Sequence, residues 1–398
     1  PNFTTIYKSI DVVAEELPIL VQLEGETLYS IRVKAVSNRG LEDSKWTVIT
    51  ASTLEENIFL PIQDGDIQGT QATLRWIPNS NVTQIVVTPG NITHVITPEE
   101  KTAGVATVTG LTAETIYTAD LFNNAKRRGS EVFTTGIDLN TGIVATPTDD
   151  LIAIVNAAPD GAIIYLQPGD YTVSTGEITL NKSITLRGVL NYNKPKIHVK
   201  FKIDVHTVNL NLIDLDMDGT GLTDAYAINI TGASTNYGEI LISGCNVHDF
   251  DRSLVYGNAA SSKLSSFKIF NSIITSVNTK AGADFIDFRP TYVASIDIKN
   301  STFNACSPGR DFVRVDAAAG FNDTGLNTNV VIDACTLYKP SELATIKRIL
   351  YVRFLNNTST VKNTLITDSA AAVYSNQPAT TPPTFSNNYY FNAPAFMD

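Results

Sequence analysis

Residues 284–290 read DFIDFRP, and residues 311–317 read DFVRVDA. Asp287, Arg289, Arg314 and Asp316 alternate with Ile286, Phe288, Val313 and Val315, the period-2 pattern of strands with one buried and one open face. Carboxylates beside guanidinium groups suit more than one chemistry. Two carboxylates can work as acid and base where their surroundings drive their pKa values apart. Arginine forks and acids can instead hold sugar hydroxyls or a uronate carboxylate, with tyrosines stacked on pyranose faces. The plainest alternative is an exposed ladder of cross-strand ion pairs, each worth about 0.2–1 kcal/mol.

Related strands recur as YAINI, SLVYG, ILYVR and AAVYS. With Ile228, Val255, Ile286, Val313, Leu350 and Val373 inward, the outward column is Asn229, Tyr256, Asp287, Arg314, Tyr351 and Tyr374. A second outward column holds Thr231, Asn258, Arg289, Asp316, Arg353 and Asn376. In this register Asp287 faces Arg314, while Arg289 and Arg353 flank Asp316. The expected substrate-binding set is Tyr256, Asp287, Arg289, Arg314, Asp316, Tyr351 and Arg353, and any catalysis falls to Asp287, Arg314 and Asp316. Asp284 and Asp311 recur at one strand start and read as turn fixtures.

Other clusters compete for a role. KIHVKFKID puts Lys196, His198, Lys200 and Lys202 on one face, either a basic end to the same groove or a lysine-blunted sheet edge. IDLDMDGTG places Asp214, Asp216 and Asp218 on one face before a glycine, the opening of a calcium loop. The Glu that should close the loop is missing, since position 225 is Ala. Calcium is the one ion this pattern brings into view; otherwise no cofactor is expected. HDFDR gathers His248, Asp249, Asp251 and Arg252 in an expected loop beside the groove, suited to acid–base work or to stabilising a turn. Cys245, Cys306 and Cys335 have no metal spacing and read as buried free thiols.

These residues need a scaffold that stacks strands. In ILISGCNV, FKIFNSII, IDIKNSTF, VVIDACTL and STVKNTLI the inward residue is Ile242, Ile269, Ile298, Ile332 and Val361. Two positions on come Gly244, Asn271, Asn300, Ala334 and Asn363, at spacings of 27, 29, 34 and 29 residues. Gly and Asn tolerate a left-handed bend. The repeat therefore predicts a parallel β-helix, each coil about 4.8 Å from the next. Cys245 and Cys335 then lie three coils apart, roughly 14 Å, beyond disulfide reach. Ahead of the coils, TPTDDLIAIVNAAPDG predicts a short helix with Thr148 as N-cap, Leu151, Ile152, Ile154 and Val155 on one face, and a stop at Pro159–Gly161. It would cover the open end of the first coil. The aromatic tail SNNYYFNAPAF would cap the last coil.

Two early stretches, LEGETLY and LTAETIY, each precede an alternating strand. They resemble the tyrosine-corner region of fibronectin type III domains, in which a Tyr hydroxyl ties the corner to the backbone. Tyr29 and Tyr117 would be those tyrosines, with Trp76 in a core. The division expected is a partial module over 1–55, a module over 56–137, and the β-helix over 146–398.

The 398 residues are 17% charged, rich in β-branched and short polar types, and carry a net charge of −11. The fold class expected is all-β. An acidic chain excludes wholesale binding of nucleic acid or anionic membrane, and no apolar run is long enough for a transmembrane segment. Residues 1–145 carry −7 (10 − 17) and residues 146–398 carry −4 (19 − 23), so the second part is nearer to neutral. The chain starts at Pro1, and a removed leader or further domain is expected. A monomer is expected.

The capping helix, PDGAIIYLQPGDYTV, SITLRGV and the Asn-bearing coils together resemble the pectin lyase-like, right-handed β-helix superfamily. With the modules in front, the chain is similar to multi-domain surface proteins that gut Bacteroidetes encode beside polysaccharide-degrading systems. The resemblance implies a secreted or cell-surface, carbohydrate-directed protein with its site on the outer face of the first sheet, formed here by the DFIDF-type strands. The catalytic motifs of the superfamily are not matched. Asp284-Phe285-Ile286 begins the pectin methylesterase motif Asp-Phe-Ile-Phe-Gly, but Asp287 replaces its Phe, and no Gln-Asp partner lies upstream. The polygalacturonase set is missing as well. The sequence thus favours binding of a polysaccharide, with a polysaccharide lyase or pectinesterase-like enzyme as the alternative and an adhesin for a protein or host surface as the second.

Overall fold

A computed structural model describes the chain apart from residues 1, 26, 38, 206–207, 281, 317–319, 322–323, 341–347, 370–374, 377–382 and 394–398; of Ser375 and Asn376 only the backbone is described. The chain divides into two compact units, Pro1–Asp138 and Leu139–Asp398.

In the first unit, Leu28–Val33 pairs antiparallel with Thr47–Ser52. Further on, Gln71–Arg75 pairs with Val105–Thr109, and a second sheet runs in the order Ile92–Val95, Gln84–Thr88, Ile116–Asn123, Lys126–Thr134. Alternation buries Leu74, Trp76, Ile85, Val87, Ala119 and Leu121 between them. The Tyr117 hydroxyl accepts the Thr112 N–H at 2.9 Å, and the Tyr29 hydroxyl accepts the Glu24 N–H at 3.1 Å. The sandwich also holds a helix, Pro98–Ala103, that strand alternation did not announce. Its signal is Thr97-Pro-Glu-Glu: Thr97 and Glu100 form a reciprocal capping box with Pro at the first turn.

The second unit is the predicted right-handed parallel β-solenoid. Its coils build three walls. Sheet A contains Ala162–Leu166, Ile184–Gly188, Leu210–Ile213, Asn236–Ser243, Lys263–Phe270, Ser295–Lys299, Thr328–Asp333, Asn357–Lys362 and Thr384–Ser386. Sheet B contains Asp216–Asp218, Asn246–His248, Ile273–Thr275, Thr302–Asn304, Thr336–Tyr338, Leu365–Thr367 and Tyr389–Phe391. Sheet C contains Ile228–Ile230, Val255–Gly257, Ile286–Phe288, Val313–Val315, Leu350–Val352 and Ser375–Asn376. Lys196–Ile203 runs across both B and C, pairing with Asp216 and Met217 at its start and with Ile228–Ile230 at its end.

The expected inward stack is in register and fully buried from Ile242 to Val361. The A-to-B bend is left-handed in every coil read from the sequence: Gly244, Asn271, Asn300, Ala334 and Asn363 have φ between 48° and 64°. Asn300 Nδ2 donates to Asn271 Oδ1 at 2.7 Å, so the asparagines do bond between coils. Beside them the side chain of one coil caps the backbone of the coil before: Ser272 Oγ accepts from Cys245 N–H and Ser301 Oγ from Ser272 N–H. All three cysteines are free and buried. A second left-handed column, Asp249, Ser276, Ala305, Lys339, Asp368 and Asn392, turns B into C.

At the front, the helix Leu151–Ala157 buries Leu151 and Val155 against the first coil, with Ile152 and Ile154 partly buried. Its N-cap is Asp150, two residues later than Thr148, because Asp150 Oδ1 accepts the Ala153 N–H while Asp149 closes the turn on Thr146. The tail residues Tyr389–Phe391 form one more strand of sheet B, with Tyr390 against the core.

Candidate functional site

The outer face of sheet C carries the columns expected from alternation, with Cα pairing Asn229–Tyr256, Tyr256–Asp287, Asp287–Arg314 and Arg314–Tyr351. Lys202 extends the column upstream, opposite Asn229. Downstream the register shifts by one, since Tyr351 pairs with Ser375 and Val352 with Asn376. Asn376 therefore does not continue the Arg353 column, and Val373 and Tyr374 lie outside the described residues. A slip of one residue exchanges the two faces of the strand, so the outward columns end at Tyr351 and Arg353.

The pairing of charges differs from a cross-strand ladder. Arg289 binds Asp287 of its own strand through Nε (2.9 Å to Oδ1) and also through Nη2. Arg314 likewise binds Asp316 of its own strand, Nη2 to Oδ2 at 2.7 Å. Residues i and i+2 share a strand face, so an Arg fork bends along the strand to the nearest carboxylate. Arg353 adds a 3.7 Å contact to Asp316. Asp287 points outward by alternation but is fully buried, covered by Arg289 and accepting the Asp284 N–H at 3.0 Å.

Asp284 is no mere turn fixture. It is 1% exposed, and Arg310 Nε (3.3 Å), Arg314 Nη1 (3.4 Å) and Arg289 Nη2 (3.9 Å) converge on it. Its Oδ1 also accepts the Asp311 N–H at 3.0 Å. Asp311 repeats the arrangement one coil on, accepting the Arg348 N–H at 2.8 Å and both Nε and Nη2 of that guanidinium. Burial, reinforced by Asp287 and Asp311, holds the Asp284 carboxyl above the ordinary carboxylate range, with Arg310 opposing. The Asp287 hydrogen bond raises Arg289 further, so that cation is permanent. Five arginines (289, 310, 314, 348, 353) meet four aspartates (284, 287, 311, 316), leaving +1 (5 − 4).

The aromatics fall into two groups. Tyr226 and Tyr256 stack at 4.9 Å and 14°, with Arg289 6.0 Å from the Tyr256 ring. Tyr351 is covered: the Arg348 guanidinium lies 3.4 Å from its ring centroid, with Arg314 and Arg353 at 5.2 and 5.7 Å. Tyr226, Arg310 and Arg348 were not among the expected site residues, and Asp284 was expected only as a turn fixture. The recurrence of Asp at 284 and 311, each followed by Phe, was the available signal. At each Asp-Phe step the Phe stacks in the core, Phe285 on Phe312 at 4.8 Å, while the Asp is buried against arginines.

Elsewhere the expectations separate. Three of the four residues of the basic strip are paired: Lys196 lies 3.8–3.9 Å from Asp218 and Asp216, Lys200 3.9 Å from Glu177, and His198 2.6 Å from Asp170. Asp214 occupies the left-handed bend at φ 54°, so it does not share a face with Asp216 and Asp218 in sheet B. His248 ends a sheet B strand and is not in a loop beside sheet C. It bonds Asp216 through Nε2 (3.0 Å) and Asp249 through Nδ1 (2.7 Å), contacts that raise its pKa to about 9. Asp251 and Arg252 secure turns, accepting the Ala225 N–H and binding Asp224.

Fold and site define a class: a right-handed parallel β-solenoid with an arginine–aspartate–tyrosine face on one wall. Residues 169–306 match the family described as Domain of unknown function (DUF4957), less than half of the chain. No curated protein matches the chain. Among solved structures, the pectin methylesterase from Aspergillus niger in deglycosylated form aligns at 13% identity and TM-score 0.37, over 65% of this chain and 88% of its own. The Yersinia enterocolitica family 28 exopolygalacturonase aligns at 9% identity and TM-score 0.20, over 85% and 99%. At these TM-scores neither likeness bears on activity. Among the described residues, no helix is long and apolar enough to cross a membrane.

Proposed function

We propose that the outer face of sheet C binds an acidic polysaccharide outside the cell. The observation that carries this reading is the continuity of the face. Tyr226 and Tyr256 form a stacked aromatic floor, and Arg289, Arg314 and Arg353 follow in successive coils, each guanidinium oriented by a carboxylate. The Arg289 guanidinium, held by Asp287 through Nε and Nη2, keeps its Nη1 donors for a uronate carboxylate or sugar hydroxyls. The spare positive charge favours an anionic chain. The secreted or surface setting rests on the sequence resemblance alone. Binding is preferred over catalysis because Asp284, Asp287 and Asp311 are buried beneath arginines, where a carboxylate positions its partner and does not reach a sugar. Tyr351, with three guanidinium groups against its ring, acts as their support.

The test is affinity electrophoresis and calorimetry with uronic-acid polysaccharides and neutral counterparts. Tyr256→Ala, Arg314→Ala and Arg353→Ala should each weaken binding by about 1–3 kcal/mol, the range for stacked or charge-assisted contacts. Unchanged affinity in all three would sink the proposal. New absorbance from unsaturated sugars, or acid release, would replace it with the lyase or esterase alternative.

A further inference from the structure

A second cluster lies on sheet B, outside the face assigned to polysaccharide. Asp218 and His248 are register partners in adjacent coils, and Asp249 follows His248 at the left-handed bend. Their donor atoms, one from each residue, lie within 4.8 Å of one another. His248 Nδ1 is 2.7 Å from Asp249 Oδ2 and 3.7 Å from Asp218 Oδ1. Ligands about 2.0–2.1 Å from a tetrahedral cation stand roughly 3.3–3.4 Å apart, so these spacings need only small side-chain adjustment.

Two further observations separate this cluster from an ordinary acidic patch. His248 Nε2 is held by Asp216 at 3.0 Å. Metal-binding imidazoles are oriented in this way, the far nitrogen bonded to a carboxylate and the near one facing the ion. On the other side, His198 Nδ1 stands 3.9 Å from Asp218 Oδ2, placing a second imidazole within reach, while its Nε2 is held by Asp170. Four carboxylates (Asp170, Asp216, Asp218 and Asp249) surround the two imidazoles with Lys196 beside them, and an ion entering between His248 Nδ1 and Asp249 displaces the proton that joins them. Asp218 Oδ1 also accepts the Thr220 N–H, which fixes the carboxylate. An open depression of about 470 Å³, lined by Asp216, Asn246, His248, Asp249, Ile273 and Thr275, gives access from solvent.

We propose that Asp218, His248 and Asp249 bind a divalent transition-metal ion of the zinc or cobalt class, with Asp216 orienting His248 and His198 available as a fourth ligand. Imidazole with carboxylate selects these ions over calcium, which prefers an all-oxygen shell. The site differs from the calcium loop expected of Asp214, Asp216 and Asp218: the bend removes Asp214, and residues distant in sequence replace it.

The full chain is dialysed free of metal and titrated calorimetrically with zinc chloride, then with cobalt chloride while visible absorption is followed. One ion per chain is expected, with tetrahedral cobalt bands and no displacement by calcium. Asp249→Asn and His248→Gln should weaken zinc binding at least ~10-fold. Asp249 is half exposed, so its variant tests binding without threatening the fold, and near-ultraviolet circular dichroism verifies that. Absence of saturable uptake, equal uptake by both variants, or equal competition by calcium would overturn the proposal.

Discussion

Ala334 is a defect in a ladder, and repairing it tests how the solenoid is held together. The residue sits at φ 55° in the A-to-B bend, where the neighbouring coils place Asn300 and Asn363 at 48° and 52°. A left-handed backbone costs an ordinary residue roughly 1–2 kcal/mol, and Asn much less. Ala334 is exposed, so a longer side chain has room. Ala334→Asn should recover about 1 kcal/mol of strain. Its amide would also reach Asn300 as Asn300 reaches Asn271, adding about 0.5–1.5 kcal/mol before side-chain ordering is subtracted. A net gain near 1 kcal/mol should raise the solenoid's melting midpoint by about 2–4 °C, since a unit of this size changes by that amount per kcal/mol. Ala334→Gly relieves the same strain but loosens the unfolded chain by about 0.4–1 kcal/mol, so it should be nearly neutral. Asn300→Ala should cost about 1–2 kcal/mol by losing both contributions. The assay is differential scanning calorimetry of the three variants beside the parent. A lower midpoint for Ala334→Asn, or no change for Asn300→Ala, would refute the idea that strain and side-chain ladders at this bend stabilise the stack.

Three further outcomes are expected. At Asp284 the raised carboxyl pKa means that the folded state takes up a proton more readily than the unfolded one, so this group's contribution favours folding at low pH and fades as pH rises through the folded value. Asp284→Asn, a neutral isostere that still accepts the Asp311 N–H, should lie within about 1 kcal/mol of the parent at neutral pH in urea melts, whereas Asp284→Ala should cost about 1–3 kcal/mol. Equal losses would show that arginine attraction outweighs burial. Burial pushes Cys245 and Cys306 to about 12 and Cys335 to about 11, so folded protein should resist an aromatic disulfide reagent and denatured protein should expose all three thiols; rapid labelling of the native chain would contradict this. In the first unit, the Arg75 hydrogen bond pulls Asp66 below its ordinary range, so its stabilisation is present above the unfolded carboxyl pKa and lost as pH falls through the folded value. Trp76 fluorescence should report that acid-side loss, and Asp66→Asn should flatten it.

The stack was legible because its signals are local. Alternation buried Ile269, Ile298 and Ile332, and residues tolerant of left-handed backbone marked the bend from Gly244 to Asn363. Local signals fail where coil length varies. Tyr351 meets Ser375 and not Tyr374, one residue later than the column pattern placed the strand. The Thr97–Glu100 capping box was present but hidden among strands.

The sequence by itself determined that the chain coils, which side chains face out on sheet C from Asn229 to Tyr351, and that its cysteines stay free. Those properties follow from a two-residue period and the steric demands of single residues. Tertiary structure alone decided which charges meet. Asp284 draws Arg289 from its own strand and Arg310 and Arg314 from the next coil, and His248 meets Asp216 across 32 residues. Side-chain reach in space, set by how each coil is laid on the last, turned a strand-to-strand ladder into arginines anchored by buried aspartates.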